Sequence, residues 1–345
     1  MSQKNQGIRF QPGQNDELIR RTVEVFTKSD IIFGVSVTEY PWVSVSGFGT
    51  HIKSVQKHLI LQNNNHTDRI PLESIKHLLV IGSHTLSSAT ILRLIKNGTY
   101  ISFFEPDGTP VGIITPFCDR NKAENYRTQQ MIPRHRYAIT IAQAAIKSRI
   151  FAIERVQELQ NVHLFYEGEL DVLLKSQEEF SFLIKLEEIR RLHKLTSDMY
   201  YEILSRNIPQ DFRFRRRTTR PHIDPVNSML SFGYAMLYGN CCVAVVGSGL
   251  DPDTGFMHDG KGSLVYDLID PFKSEMVDPV VFDIARNSLA VADFEISHDR
   301  CILSDELIGT LTRKLHATIQ DKKINERVFS LSDSIKSGSE FKIMY

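Results

Sequence analysis

The feature that most constrains this chain is a change in the spacing of its apolar residues. Up to about residue 118 they come in short runs rich in Val, Ile and Phe: "DIIFGVSV", "WVSVSGFG", "HLILQ", "HLLVIG", "YISFFE" and "VGIIT". Turn formers such as "NNNH", "KNGT" and "PDGTP" divide them, and runs of this kind read as strands. One helix interrupts the series, "SSATILRLIKNG", with Ser87 or Ser88 as its cap and Gly98 as its stop. From about Glu124 the spacing becomes helical, first in "YAITIAQAAIKSRIFAIERVQELQ" and then to the end of the chain. Strands followed by helices predict an α+β fold: an N-terminal β-rich domain and a larger all-helical domain. The expected division is a polar extension over 1–22, a β-rich domain over 23–118 and a helical domain over 124–345, with the boundary in "TPFCDRNKAENYR". The polar stretch "SLSDSIKSGSEFK" near the C-terminus is expected to fray.

At 345 residues the chain is long enough for two domains that each bury a core. Lys+Arg and Asp+Glu number 41 each, so the overall charge points to no class of partner and only local charge is informative. The four cysteines, Cys118, Cys241, Cys242 and Cys301, contain no C-x-x-C pair. That favours neither a disulfide framework nor a cysteine zinc site and fits a reducing compartment. The N-terminal "MSQKNQGIRFQPGQNDELIRR" lacks the apolar core of a signal peptide, and no run is read as approaching a membrane span. The expectation is a soluble cytoplasmic chain with no membrane partner.

Three local features carry chemistry. In "GFMHDGKGSLVYDLID" a histidine, His258, leads a glycine-rich turn, and Asp267 and Asp270 follow three residues apart, on one face of any helix there. These are metal-ligand residue types. Equally, His258 reads as a solvated loop residue and Asp270 before Pro271 as an N-cap with proline at N1. Residues 182–205 form the clearest periodic helix, with Phe182, Leu186, Ile189, His193, Thr196, Tyr200 and Ile203 on one stripe, widened by Leu183, Leu192, Leu195 and Met199. His193 is the one titratable member, either a core histidine or a group projected into a cleft. Glu187, Glu188, Asp198 and Glu202 point away from it. Then comes "DFRFRRRTTRP", with Arg213, Arg215, Arg216, Arg217 and Arg220 interleaved with Phe212 and Phe214. Such density of guanidinium forks reads either as a solvated loop or, more sharply, as a nucleic-acid phosphate-binding segment.

The stretch "DPVNSMLSFGYAMLYGNCCVAVVGSGLDPDTGFMHDGKGSLVYDLID" resembles the signature of the CRISPR adaptation integrases, the endonucleases that insert new spacers. "VIGSHTLSSATILRLIKNGTYISFFEPDGTPVG" is similar to that family's N-terminal β domain, and "YRTQQ" with "IAQAAIKSRI" to its first long helix. The resemblance covers the chain from about residue 25. It implies a helical catalytic domain, a homodimer formed through the β domain, double-stranded and branched DNA as substrates, and a second small adaptation protein as partner. The implied reaction is a metal-dependent transesterification in which a DNA 3′-hydroxyl attacks a phosphodiester at the edge of a repeat. The implied catalytic residues are His258, Asp270 and Asp267. Of the family's Glu, His and acidic metal ligands, the last two fall on His258 and Asp270. The glutamate position, in "HKLTSDMYY", is His193, followed by Lys194. A set of His193, His258 and Asp270 implies Mn²⁺, or Mg²⁺, with Mn²⁺ favoured when an imidazole is a ligand. The alternative is a catalytically impaired DNA-binding homologue of the same fold.

Overall fold

The structure, a computed structural model, describes residues 34–37, 41–63, 66–116, 121–218, 222–297 and 300–343. The expected runs pair into one mixed sheet: β1 (Gly34–Val37), β2 (Trp42–Val55), β3 (His58–Asn63), β4 (His66–Pro71), β5 (His77–Leu86), β6 (Tyr100–Phe104) and β7 (Pro110–Ile114). The order is β4-β3-β2-β5-β6-β7, with β1 on the first half of the long β2. β2 runs parallel to β5 and β5 to β6, while the other pairs are antiparallel. The parallel step from β5 to β6 needs a crossover, supplied by α1 (Ser88–Lys96). Ser87 caps it through Thr90 N at 3.2 Å, and Gly98 turns the chain away at φ 78°. Alternation along the strands gives the sheet two apolar faces. Val43, Val45, Leu78, Val80 and Ile101 share one core with Leu94 of α1, whereas Trp42, Leu79 and Phe104 face the helical domain. β4 was not anticipated: Ile70 is its one fully buried side chain, too little for a period.

The helical domain contains α2 (Asn121–Met131), α3 (Arg134–Gln160), α4 (Glu169–Glu179), α5 (Leu186–Ser205), α6 (Pro225–Gly247), α7 (Ser263–Phe272), α8 (Asp278–Asn287), α9 (Asp305–Thr318) and α10 (Asp321–Ser337). A two-stranded ribbon, β8 (Phe294–Ile296) with β9 (Cys301–Leu303), departs from the all-helical expectation for this domain. The helix α6 forms its axis. Contrary to the sequence expectation, α6 is long and apolar enough by composition to cross a membrane. Protein encloses it instead: Val226, Met229, Leu230, Leu237, Cys241, Cys242 and Val245 are buried in the main core.

Other expectations are corrected. The stretch expected to fray is largely α10, anchored by buried Leu331, Ser332, Ser334 and Ile335, with Phe341 buried beyond it. The periodic helix starts at Leu186 and not at Phe182, which is 82% exposed in a short 3₁₀ turn. Ile189, Thr196, Tyr200 and Ile203 are buried as the stripe requires, but Leu195 is exposed at its flank. Residues 1–22 and Arg220 lie outside the described residues.

Candidate functional site

The glycine-rich turn before α7 exists to bring backbone onto the helix's first turns. Gly262 N donates to Asp253 Oδ1 at 2.7 Å, Ser263 Oγ donates to the Asp253 carbonyl, and Gly255 N donates to Ser263 Oγ. A Cβ on Gly255 would lie 2.7 Å from the Ser263 carbonyl carbon and 2.9 Å from Asp267 Oδ2, so no other residue fits. Gly262 (φ 68°) has the Tyr238 hydroxyl where a Cβ would stand. The turn thereby aims three N–H groups at Asp267, which is fully buried. Oδ2 accepts from Phe256 N (2.5 Å) and Met257 N (3.0 Å), and Oδ1 from His258 N (3.1 Å). The fourth contact is His258 Nδ1, 2.5 Å from Oδ1. Facing a carboxylate, that nitrogen carries a proton, so the neutral form of this half-exposed ring has its lone pair on Nε2. Asp267 therefore orients His258 and has no oxygen to spare for an ion.

Asp270, 5% exposed, sits one turn further along α7 between two cations and a histidine. Its Oδ2 accepts from Arg149 Nη2 of α3 at 2.8 Å and from His193 Nε2 of α5 at 2.6 Å; its Oδ1 accepts from Lys273 Nζ at 2.8 Å. Burial alone would raise its pKa, but Lys273, Arg149 and His193 outweigh burial and hold the carboxyl well below the usual range. Burial lowers the His193 pKa, and the pull of Asp270 does not restore it. A neutral His193 that meets a carboxylate through Nε2 donates there. The N-cap reading of Asp270 is wrong: Pro271 lies inside the helix.

A π turn, Lys273–Val277, follows and leads straight into α8. Eight α-helical residues advance about 80° past two full turns. The extra residue held by a π turn removes most of that offset, so Asp278 returns to the face of Asp270. On α5, His193 and Tyr200 are likewise two turns apart. α5 thus meets this segment twice, at His193–Asp270 of α7 and at Tyr200 Oη–Asp278 Oδ2 of α8 (2.9 Å). Tyr234 Oη donates to Asp278 Oδ1 at 2.5 Å and lies 2.6 Å from Tyr201 Oη. Burial raises the pKa of Asp278 and those of Tyr200, Tyr201 and Tyr234. Asp278, Arg149, Arg134 and Arg190 went unnoticed in the sequence.

The arginine segment is tied to this cluster by one of its members. Arg217 donates to Asn227 Oδ1 (2.8 Å) and Ser231 Oγ (2.7 Å) and lies 5.4 Å from the Tyr234 ring centroid. Asp224 caps α6 through Asn227 N at 2.8 Å, and Asn227 Nδ2 donates to the Arg216 carbonyl, so "DPVN" is the clasp that fixes the loop. Phe212 and Phe214 are buried against Phe294 and Phe282 and anchor it from below. Arg213, Arg215 and Arg216 are left exposed.

A family model described as CRISPR associated protein Cas1 matches residues 43–317. The chain belongs to the Cas1 family. Among Cas1 relatives, a "Putative CRISPR-associated endonuclease Cas1 2" of Methanospirillum hungatei is 39% identical over 301 residues, 87% of this chain and 99% of that one. Two solved structures share the fold. A casposase bound to its integration product superposes with TM-score 0.75 at 17% identity, covering 88% of this chain and 99% of that one. A partial Cas6-RT-Cas1–Cas2 complex gives 0.69 at 20%, covering 87% and 97%.

The resemblance to Cas1 implies a divalent ion on His193, His258 and Asp270, and the donor set does not fit one. Both Asp270 oxygens are taken by cationic or N–H donors, His193 presents a proton and not a lone pair toward Asp270, and Asp267 is spent. Among the described residues, no three His, Cys, Asp or Glu side chains are gathered to hold a metal. Lys194 is exposed and pairs with Asp198, away from the centre.

Proposed function

We propose that this Cas1-family chain is a DNA-binding component of spacer acquisition whose Asp270 centre is neutralised by protein cations and does not catalyse metal-dependent strand transfer. The observation that carries this reading is the engagement of both Asp270 oxygens by Arg149, Lys273 and the His193 N–H. Arg149 and Lys273 compensate the charge of Asp270 and also act on Asp278, so no uncompensated carboxylate is left there to draw in a divalent ion. The exposed Arg213, Arg215 and Arg216 supply phosphate contacts. The neighbours named for an integration product and for a Cas1–Cas2 assembly support duplex and branched DNA and a second small adaptation protein as partners. A homodimer through the β domain is part of the same reading.

The test is a binding and strand-transfer assay on branched DNA with Mg²⁺ and then Mn²⁺. Salt-sensitive binding without joined product is the expected result, and metal-dependent product that disappears in Asp270→Asn overturns the reading. One observation favours a second reading, a metal-dependent integrase and endonuclease using Mn²⁺ or Mg²⁺. Asp267 leaves His258 with a free Nε2, as in carboxylate-backed histidine ligands.

A further inference from the structure

Arg134 is the first residue of α3 and Arg190 lies on α5, yet their guanidinium groups meet on a single carboxylate. Arg134 Nη2 is 2.7 Å from Asp259 Oδ1 and Arg190 Nη2 is 2.5 Å from Asp259 Oδ2. All three side chains are open to solvent, at 35%, 38% and 62% exposure. Ion pairs so exposed add little to stability, so the convergence is not explained by the needs of the fold. Both arginines are also held by backbone: Arg134 Nη2 donates to the His258 carbonyl at 3.1 Å and Arg190 Nε to the Met257 carbonyl. Those two contacts do not use the Asp259 side chain. Asp259 is 62% exposed and precedes Gly260, which has φ 95° and nothing where a Cβ would stand, so no packing holds its carboxylate beyond the two arginines. Arg134 Nε is buried without an acceptor while Asp259 holds the rest of the group. Beside them lies a cavity of about 230 Å³ lined by Gln130, Arg134, Asp253, His258, Asp259 and Gly260.

We propose that Arg134 and Arg190 form a binding site for a DNA backbone phosphate next to His258, and that Asp259 fills it as a stand-in anion until DNA displaces it. A phosphodiester presents one negative charge on two terminal oxygens, as a carboxylate does, and paired guanidinium forks match either. Asp259 is then an autoinhibitory contact. This rests on the DNA-binding reading above, and the experiment separates the two. Affinity for labelled branched DNA is measured against salt for wild type, Asp259→Asn, Asp259→Ser and Asp259→Glu, with thermal melts alongside. Asp259→Asn and Asp259→Ser are expected to bind roughly five- to tenfold more tightly at low salt, with a log–log slope steeper by about one phosphate contact. Asp259→Glu stays near wild type, and the gain vanishes when Arg134→Gln and Arg190→Gln are added. Unchanged or weaker binding in both Asp259→Asn and Asp259→Ser, while Arg215→Glu still weakens binding, overturns the inference alone. A wild type that binds no DNA overturns the inference and the proposed function together.

Discussion

Asp267 and Asp270 lie three residues apart on one helix and are used in opposite ways. Asp267 is wrapped in N–H donors and fixes a histidine; Asp270 balances two cations and accepts from a histidine. Arg149 and Asp270 are 4% and 5% exposed, so removing the acid leaves a buried guanidinium without its counter-ion. Asp270→Asn is therefore expected to cost about 3–5 kcal/mol in urea unfolding. The pH dependence follows from the depressed pKa of Asp270. A carboxylate whose folded pKa lies below its unfolded value, about 3.9, stabilises fully above that value and loses the contribution as pH falls through the folded pKa. The gap between wild type and Asp270→Asn is predicted to stay level from pH 8 to 5 and to close only below about pH 4. A gap that already narrows between pH 7 and 5 would contradict this assignment.

At the scale of elements, the glycine turn and the π turn do the positioning. Gly255→Ala forces a Cβ against Ser263 and Asp267 Oδ2 and is predicted to cost about 1–3 kcal/mol, with amide exchange of Phe256, Met257 and His258 accelerated most. Unchanged exchange there would mean that the Asp267 cradle tolerates the shift. The sequence disclosed much of this framework. Short runs rich in Val, Ile and Phe found six of the seven strands of the sheet, and the stripe through Ile189, His193, Thr196 and Tyr200 identified the buried face of α5. It could not disclose β4, whose burial does not alternate, or the three-residue strands of the small ribbon. His258, Asp267 and Asp270 stood out through their motif. Arg149 did not, because after Lys147 and Ser148 it reads as part of the helix's polar edge, and its partner lies 121 positions away. Asp278 was hidden for a different reason: an unbroken α-helix would put it about 80° off the face of Asp270, and only the π turn returns it.

Across the whole molecule, α6 joins the parts. The β6–β7 turn presses on it where Asp107 and Gly108 meet Gly239, with the Asp107 carbonyl oxygen occupying the place of any Cβ on Gly239. Its N-terminal turn clasps the arginine segment, and Tyr234 within it reaches Asp278. The segment should accordingly divide by function. Arg215→Glu with Arg216→Glu is predicted to weaken duplex DNA binding and flatten its salt slope by about two contacts without lowering the melting temperature. Arg217→Gln, which strips Asn227 and Ser231 of a donor, is predicted to lower the melting temperature as well; equal effects at all three positions would refute the division. The central claim is that protein cations occupy the place of a divalent ion at Asp270. The most direct test is a titration of purified protein with Mn²⁺, following free ion by electron paramagnetic resonance. The predicted result is no stoichiometric uptake at micromolar Mn²⁺, with wild type and Asp270→Asn indistinguishable. Uptake of one ion per chain, abolished by both Asp270→Asn and His258→Ala, would contradict the claim.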